Sequence, residues 1–220
     1  MIAVAEAISW AELQRQALDG AHAAWFDDLP PQLLDAARDD AAGRRLLARR
    51  LAGIAPQLFA GFPAVLPAAL AASAWLRTSR HSLDEQALDL GALAFAPMLR
   101  LMIARDEVVR LRRVLGAARY ARTLAAADRG PAPPASAAAA LAEACGADET
   151  LHRLFLEQGR AEWAAHANVV HPAALEWLRL CHAPGTLDAA AAAWLDTASV
   201  ARALAISEEE SRDDRQSRHH

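Results

Sequence analysis

The residues of this chain that could do chemistry are eight histidines, two cysteines and a few adjacent carboxylates, and their spacing decides what is open to them. His166 and His171 stand five apart, with Pro172 directly after. Two metal ligands on one helical face need a spacing of four. Cys181 and His182 are adjacent, and the chain contains neither Cys-x-x-Cys nor His-Glu-x-x-His. The histidines therefore read as helix-end residues. Cys145 and Cys181 are too sparse for a disulfide framework and read as free thiols. A hydrolase serine would sit in a Gly-x-Ser-x-Gly turn after a strand, and that motif is absent. A phosphate-cradling loop needs clustered glycines and usually a lysine; the glycines are scattered and every basic side chain is arginine. The pairs Asp27-Asp28, Asp39-Asp40 and Asp213-Asp214 lie beside basic residues or in the polar C-terminal stretch, as solvated charge clusters do. These patterns predict a non-enzymatic chain with no catalytic, cofactor-binding or metal-ligating residue.

Arginine offers a different chemistry. Between Arg100 and Arg122 seven arginines face only Asp106 and Glu107. If Asp106 caps a helix, Val108, Leu111, Val114, Leu115 and Ala118 share one apolar stripe. Arg112, Arg113 and Arg119 then fall on the opposite side. Such a face could hold the carboxylates of a partner, because the planar guanidinium grips them in pairs. A DNA-recognition helix looks similar. Yet no Asn, Gln or Ser lines the basic face to read base edges. The net charge of −4 and pI near 6.1 also oppose a generally nucleic-acid-binding surface. On the residues alone this reads first as a solvated face and second as a protein-docking face at Arg112, Arg113 and Arg119, with no nucleic acid. A helical DNA-binding transcriptional regulator using residues 107–120 is the alternative.

The elements that must carry these side chains are helices. Hydrophobic residues make up 54% of the chain and much of that is Ala and Leu, while β-branched residues are sparse and aromatics are 5%. The predicted fold is all-α, an irregular multi-helix domain over 1–206. It reads as one body or as two lobes, 1–127 and 137–206, joined by the Pro-rich linker 128–136. Ser9 with Glu12, and Ser82 with Glu85, form capping boxes. Pro31 and Pro172 stand where helices open. The segment RRLLARRLAGI continues the helix begun at Pro31 after a break near Gly43. Residues 55–67 read as an irregular connection, and a helix is expected from Pro67 to Thr78. Another spans Asp148 to His166, and Thr186 is expected to cap the last. The six tryptophans, about one per helix, read as core anchors. From Ser207 to His220 there is no apolar residue, and a disordered charged tail is expected.

The N-terminus lacks a basic region and meets an acid at Glu6, unlike a signal peptide. No apolar run is long and charge-free enough to span a bilayer. A cytoplasmic location without direct membrane insertion follows as the expectation.

Leu90-Gly91, Arg100, Arg105-Asp106-Glu107-Val108, Leu115-Gly116 and Tyr120 form a pattern that resembles the SctK/YscK family, including its Hrp-type branch. Gly159 to Trp163, His171-Pro172 and Glu176-Trp177-Leu178-Arg179-Leu180 are similar to the C-terminal region of that family. The resemblance covers roughly residues 83–184. It implies a bacterial, virulence-associated protein of type III secretion, a cytosolic sorting-platform adaptor engaged in protein transport. Its implied partners are the cytoplasmic domains of the inner-membrane ring protein and the C-ring-like pod subunit, with a location peripheral to the inner-membrane apparatus. It implies no cofactor and no catalytic residue.

Overall fold

The computed structural model describes residues 9–59, 66–77, 80–126, 133–188 and 192–205. Among these, every regular element is helical and no strand occurs. The tail expected from Ser207 to His220, residues 128–132 of the expected linker, and Thr78 lie outside the described residues. The chain forms two compact units, each discontinuous in sequence. One comprises residues 1–80 and 167–189; the other comprises 81–166 and 190–220.

In the first unit, α1 (Trp10–Gly20) begins where the first capping box places it, with the Ser9 hydroxyl accepting from the Glu12 amide at 3.1 Å. Pro31 opens α2 (Pro31–Asp39), and its missing N–H costs nothing at the first turn. The break after α2 falls at Asp40 rather than Gly43. The Asp40 carboxylate takes the Gly43 amide at 2.7 Å and starts α3 (Ala41–Leu51). Of the connection expected over 55–67, residues 60–65 lie outside the described residues, and Pro56 opens a single turn, α4 (Pro56–Phe59). The helix expected over 67–78 is instead α5 (Ala68–Ala71) followed by a 3₁₀ turn at Ala74–Arg77. That turn holds Trp75, whose ring meets Trp177 edge-on at 5.8 Å between centroids. Trp177 lies on α12 (Pro172–Cys181), which starts at its proline and stops before Pro184-Gly185, both as expected. Helix α12 lies against α1 and α4, with the Cys181 sulfur 3.6 Å from where a Cβ on Gly20 would stand.

The second unit is built on α6 (Arg80–Ala94) and α11 (Asp148–Val170), of which residues up to His166 belong to it. Ser82 is not a cap: α6 already begins at Arg80, and Asp84 and Glu85 are taken by Arg160 and Arg119 of other helices. A short turn, α7 (Ala96–Leu99), carries Pro97 at its start. Then come α8 (Arg105–Leu115), α9 (Ala117–Ala126) and α10 (Ala135–Ala144). Helix α10 begins at Ala135, so the last two residues of the expected linker are helical. Leu88, Phe95, Leu99, Leu111, Leu115, Tyr120, Leu141, Leu151 and Phe155 form one buried cluster. Phe95 sits edge-on to both Phe155 and Trp194, at 5.5 and 5.3 Å.

Where α6 crosses α11, Gly91 and Gly159 leave no room for a side chain. A Cβ on Gly91 would overlap the Phe155 carbonyl, and one on Gly159 the Ala87 carbonyl. The two backbones are thus in direct contact. The last helix, α13 (197–205), starts later than expected. Thr186 lies in a turn, and Asp196 is the cap, its carboxylate taking the Ser199 amide at 2.7 Å.

The expected lobes, 1–127 and 137–206, are therefore not the compact units. Helices on both sides of the Pro-rich stretch pack into the second unit, while α12 packs with the N-terminal helices. Four tryptophans, Trp10, Trp75, Trp163 and Trp177, are buried. Trp25 and Trp194 are half-buried, outside α-helices, and donate their indole N–H groups to the carbonyls of His182 and Ala94.

Candidate partner-binding face

The basic segment is two helices, not one. Gly116 has φ +80°, a backbone conformation that costs glycine little and other residues much, and it separates α8 from α9. Helix α8 begins at Arg105 after Ala104, so Asp106 lies in its first turn instead of capping it. Leu111 and Leu115 are buried, and Val108 and Val114 pack against the same cluster, as the periodicity requires. Ala118, beyond the break, is exposed and leaves the stripe.

The same break separates the three arginines. Arg112 is exposed, its guanidinium 5.7 Å from the centre of the Tyr120 ring. Arg113 bonds Asp148 at 2.7 Å, and Arg110 Nε stands 3.2 Å from the same carboxylate without hydrogen-bond alignment. The Arg113 bond holds the Asp148 carboxyl below its ordinary range. Arg119, on α9, has only 15% of its side chain exposed and reaches Asp89 at 2.5 Å and Glu85 at 2.7 Å, both on α6. Burial works against the charged form of Arg119, but Asp89 and Glu85 together outweigh it and raise its pKa. Arg122 joins the same Asp89 at 3.3 Å. Arg112, Arg113 and Arg119 therefore do not share one outward stripe. Arg113 ties α8 to the start of α11, and Arg119 ties α9 to α6.

Helix α8 and the loop before it present charged and apolar side chains together: on α8 Arg105, Asp106, Val109, Arg112 and Arg113 are exposed. Leu101 and Ile103, in the loop before it, are 79% and 90% exposed, and Val109 is 53% exposed. Val109 lies between Arg105 and Arg112 at four and three residues, spacings that put all three on one helical face. All three are exposed.

Two carboxylates that sequence reasoning did not single out act as clasps. Glu162, 1% exposed on α11, accepts the backbone N–H groups of Trp194 and Leu195 at 2.8 and 2.9 Å, and the Gln158 amide at 2.7 Å. Glu176 on α12 accepts those of Gln57 and Leu58 at 3.2 and 2.9 Å. Burial raises both carboxyls above the ordinary range, against the pull of these donors. The one signal in the sequence is an acid directly before a tryptophan, at Glu162-Trp163 and Glu176-Trp177.

The histidines at helix ends have local duties. His171 Nδ1 accepts the Ala173 amide at 3.1 Å at the start of α12, and His182 Nδ1 lies 2.9 Å from the Leu178 carbonyl. Asp28 pairs with Arg50 at 2.5 Å, and Asp213-Asp214 lies outside the described residues. Cys145 is half-buried and Cys181 buried, both as free thiols. Among the described residues, no three His, Cys, Asp or Glu side chains gather as a metal-holding group. No helix among them is long and apolar enough to cross a membrane. Compared with known proteins, the chain matches no family model, no curated protein and no solved structure.

Proposed function

We propose that this protein is a non-enzymatic adaptor of a bacterial type III secretion sorting platform, joining the cytoplasmic domain of the inner-membrane ring protein to the C-ring-like pod subunit. One observation carries the reading. The stretches on which the SctK/YscK resemblance rests are 68 residues apart at Gly91 and Gly159, yet these two glycines meet in one helix crossing. A pattern shared with a family is most informative where distant positions constrain each other, and backbone contact constrains both to glycine.

In this reading Leu101, Ile103 and Val109 make the contact with a partner, and Arg112 flanks them. Large apolar side chains exposed to this degree on one short stretch of chain suit a protein interface. Arg113 and Arg119, although part of the same basic run, serve Asp148, Asp89 and Glu85.

The test is affinity purification of the full chain from the native bacterium, followed by the double variant Leu101→Ser with Ile103→Ser. Both side chains face solvent, so helicity and melting temperature should be unchanged. The unmodified chain is expected to recover the pod subunit and the ring domain, and the variant to lose at least about tenfold in one of them, equivalent to about 1.4 kcal/mol. Recovery of neither partner by the unmodified chain refutes the adaptor role. Sequence-specific binding to duplex DNA that fails on Arg112→Glu would replace it with the regulator.

A further inference from the structure

Residues 192–205 come to the second unit from outside it. The chain leaves that unit after His166, runs through 167–189 of the first, and rejoins the second at 190. The segment 192–205 is thus a strap, joined through the first unit to the body on which it lies. Its helix start is self-contained. The Asp196 carboxylate takes the Ser199 amide at 2.7 Å and the Ser199 hydroxyl at 3.0 Å, so the cap of α13 belongs to the strap itself.

The site beneath the strap reads it largely through the peptide backbone. Gln158 donates its side-chain amide to the Ala192 carbonyl at 3.0 Å, and Glu162, one turn on, accepts the Trp194 and Leu195 amides. The Trp194 indole N–H donates to the Ala94 carbonyl, and its ring stands edge-on to Phe95. Val200 and Leu204, four apart on α13, are buried. Gln158 and Glu162 are buried as well, although a carboxamide and a carboxylate are groups that water serves well. Burial pushes the Glu162 carboxyl up, against the pull of its three donors. Opening the strap returns that group to water, which offsets part of what Trp194, Val200 and Leu204 gain by leaving it. An all-apolar face would hold the strap without this offset.

We infer that the strap is exchangeable between copies of this chain: it opens from the second unit as a body, and the site at Ala94, Phe95, Gln158 and Glu162 then takes residues 192–205 of a second copy. The occupant follows from the site. One carbonyl, two successive amides and an indole satisfy it, and a second copy brings the same segment that satisfies it within one chain. An exchanged pair therefore keeps every contact of the strap and needs no new one, the usual low-cost route to such dimers. This inference goes beyond the adaptor role and does not depend on it.

Two full-length variants separate strap from site. Trp194→Ala keeps the site and loses the anchor of its own strap; Glu162→Ala keeps the strap and breaks the site. Tagged Trp194→Ala and untagged Glu162→Ala are mixed at about 0.5 mM, near the effective concentration that tethering gives a segment in its own chain. Capture on the tag should retain at least ten times more untagged chain than tagged parent does in the same mixture. Adding Trp194→Ala to the untagged chain as well should abolish the gain. An excess of synthetic peptide 192–205 should compete it away, and a peptide with 197–205 scrambled should compete at least tenfold less. Circular dichroism establishes that the variants are folded. Hydrogen exchange of the parent decides independently: the amides of α13 should exchange as one block, at least tenfold faster than those of 155–163 on α11. The inference is overturned if capture does not exceed that of the parent, if it survives loss of Trp194 from both chains, or if the intact peptide does not compete. Equal competition by the scrambled peptide makes the site one for any Trp-Leu segment and overturns the assignment to a second copy. Amides of α13 protected as strongly as those of α11 overturn it too, because the strap then leaves only when the unit unfolds.

Discussion

At the scale of single residues, Glu162 shows best how a polar group in an apolar setting organises the chain. Its two oxygens take the amides of Trp194 and Leu195, so a segment without regular structure before α13 is held to α11. Truncation and neutralisation should differ. Glu162→Ala leaves two N–H groups without their acceptor and is expected to cost about 1–3 kcal/mol in urea unfolding. Glu162→Gln keeps one oxygen, and its effect should depend on pH. Because burial raises the Glu162 pKa above 4.5, the folded chain holds a proton that the unfolded chain releases. That contribution is full below about 4.5 and is lost as pH rises through the folded pKa. Gln, which does not titrate, lacks this loss. The stability of Glu162→Gln relative to the parent should therefore improve as pH rises from 4.5 toward neutrality. A relative stability that moves the other way would mean that the three donors, and not burial, dominate the site.

At the scale of elements, the α6–α11 crossing has no slack. A methyl group on Gly159 would have to displace the Ala87 carbonyl, which is backbone and cannot rotate away. Gly159→Ala should gain the helix propensity of alanine, about 1 kcal/mol, and lose more through forced separation of the helices. The expected net loss is at least about 2 kcal/mol, read as a lower urea midpoint. An unchanged or raised midpoint would show that the crossing is looser than the backbone contact indicates. This pairing also marks the boundary of what the sequence discloses. Helix openings at Ser9, Pro31 and Pro172 are local chemistry and are legible directly. So is the buried stripe of Leu111 and Leu115, because periodicity is local too. Gly91 with Gly159, Glu162 with Trp194, and Glu176 with Leu58 are separated by 32 to 118 residues and leave no periodic trace. Arg119 was misplaced for a related reason. Its position opposite the apolar stripe assumes one helix, whereas Gly116 turns the chain and sends the arginine to Asp89 and Glu85. A glycine can sit within a helix or end it, and only the surrounding packing decides which.

At the scale of the whole molecule, neither compact unit is a continuous stretch of chain, and that has a consequence for dissection. The Pro-rich residues 128–136 look like a place to cut, giving fragments 1–127 and 137–206. Such a cut removes α12 from the first unit, and with it Trp177 beside Trp75 and the Glu176 clasp on Gln57 and Leu58. It also divides the second unit. Leu88, Phe95, Leu111 and Tyr120 would lie on one fragment, with Leu141, Leu151 and Phe155 on the other. Each fragment would expose half of an apolar core that was buried by the other half, and burial of apolar area is the main force holding helices of modest length together. Neither fragment alone is therefore expected to melt cooperatively. Both should show reduced helicity and bind a hydrophobic dye. Mixed together, they should regain a cooperative transition and the helicity of the intact chain, because the lost contacts are between fragments. Circular dichroism melts of each fragment and of the equimolar mixture decide the matter. A sharp transition in either isolated fragment, with dye binding no greater than that of the intact protein, would restore the linker as a true domain boundary.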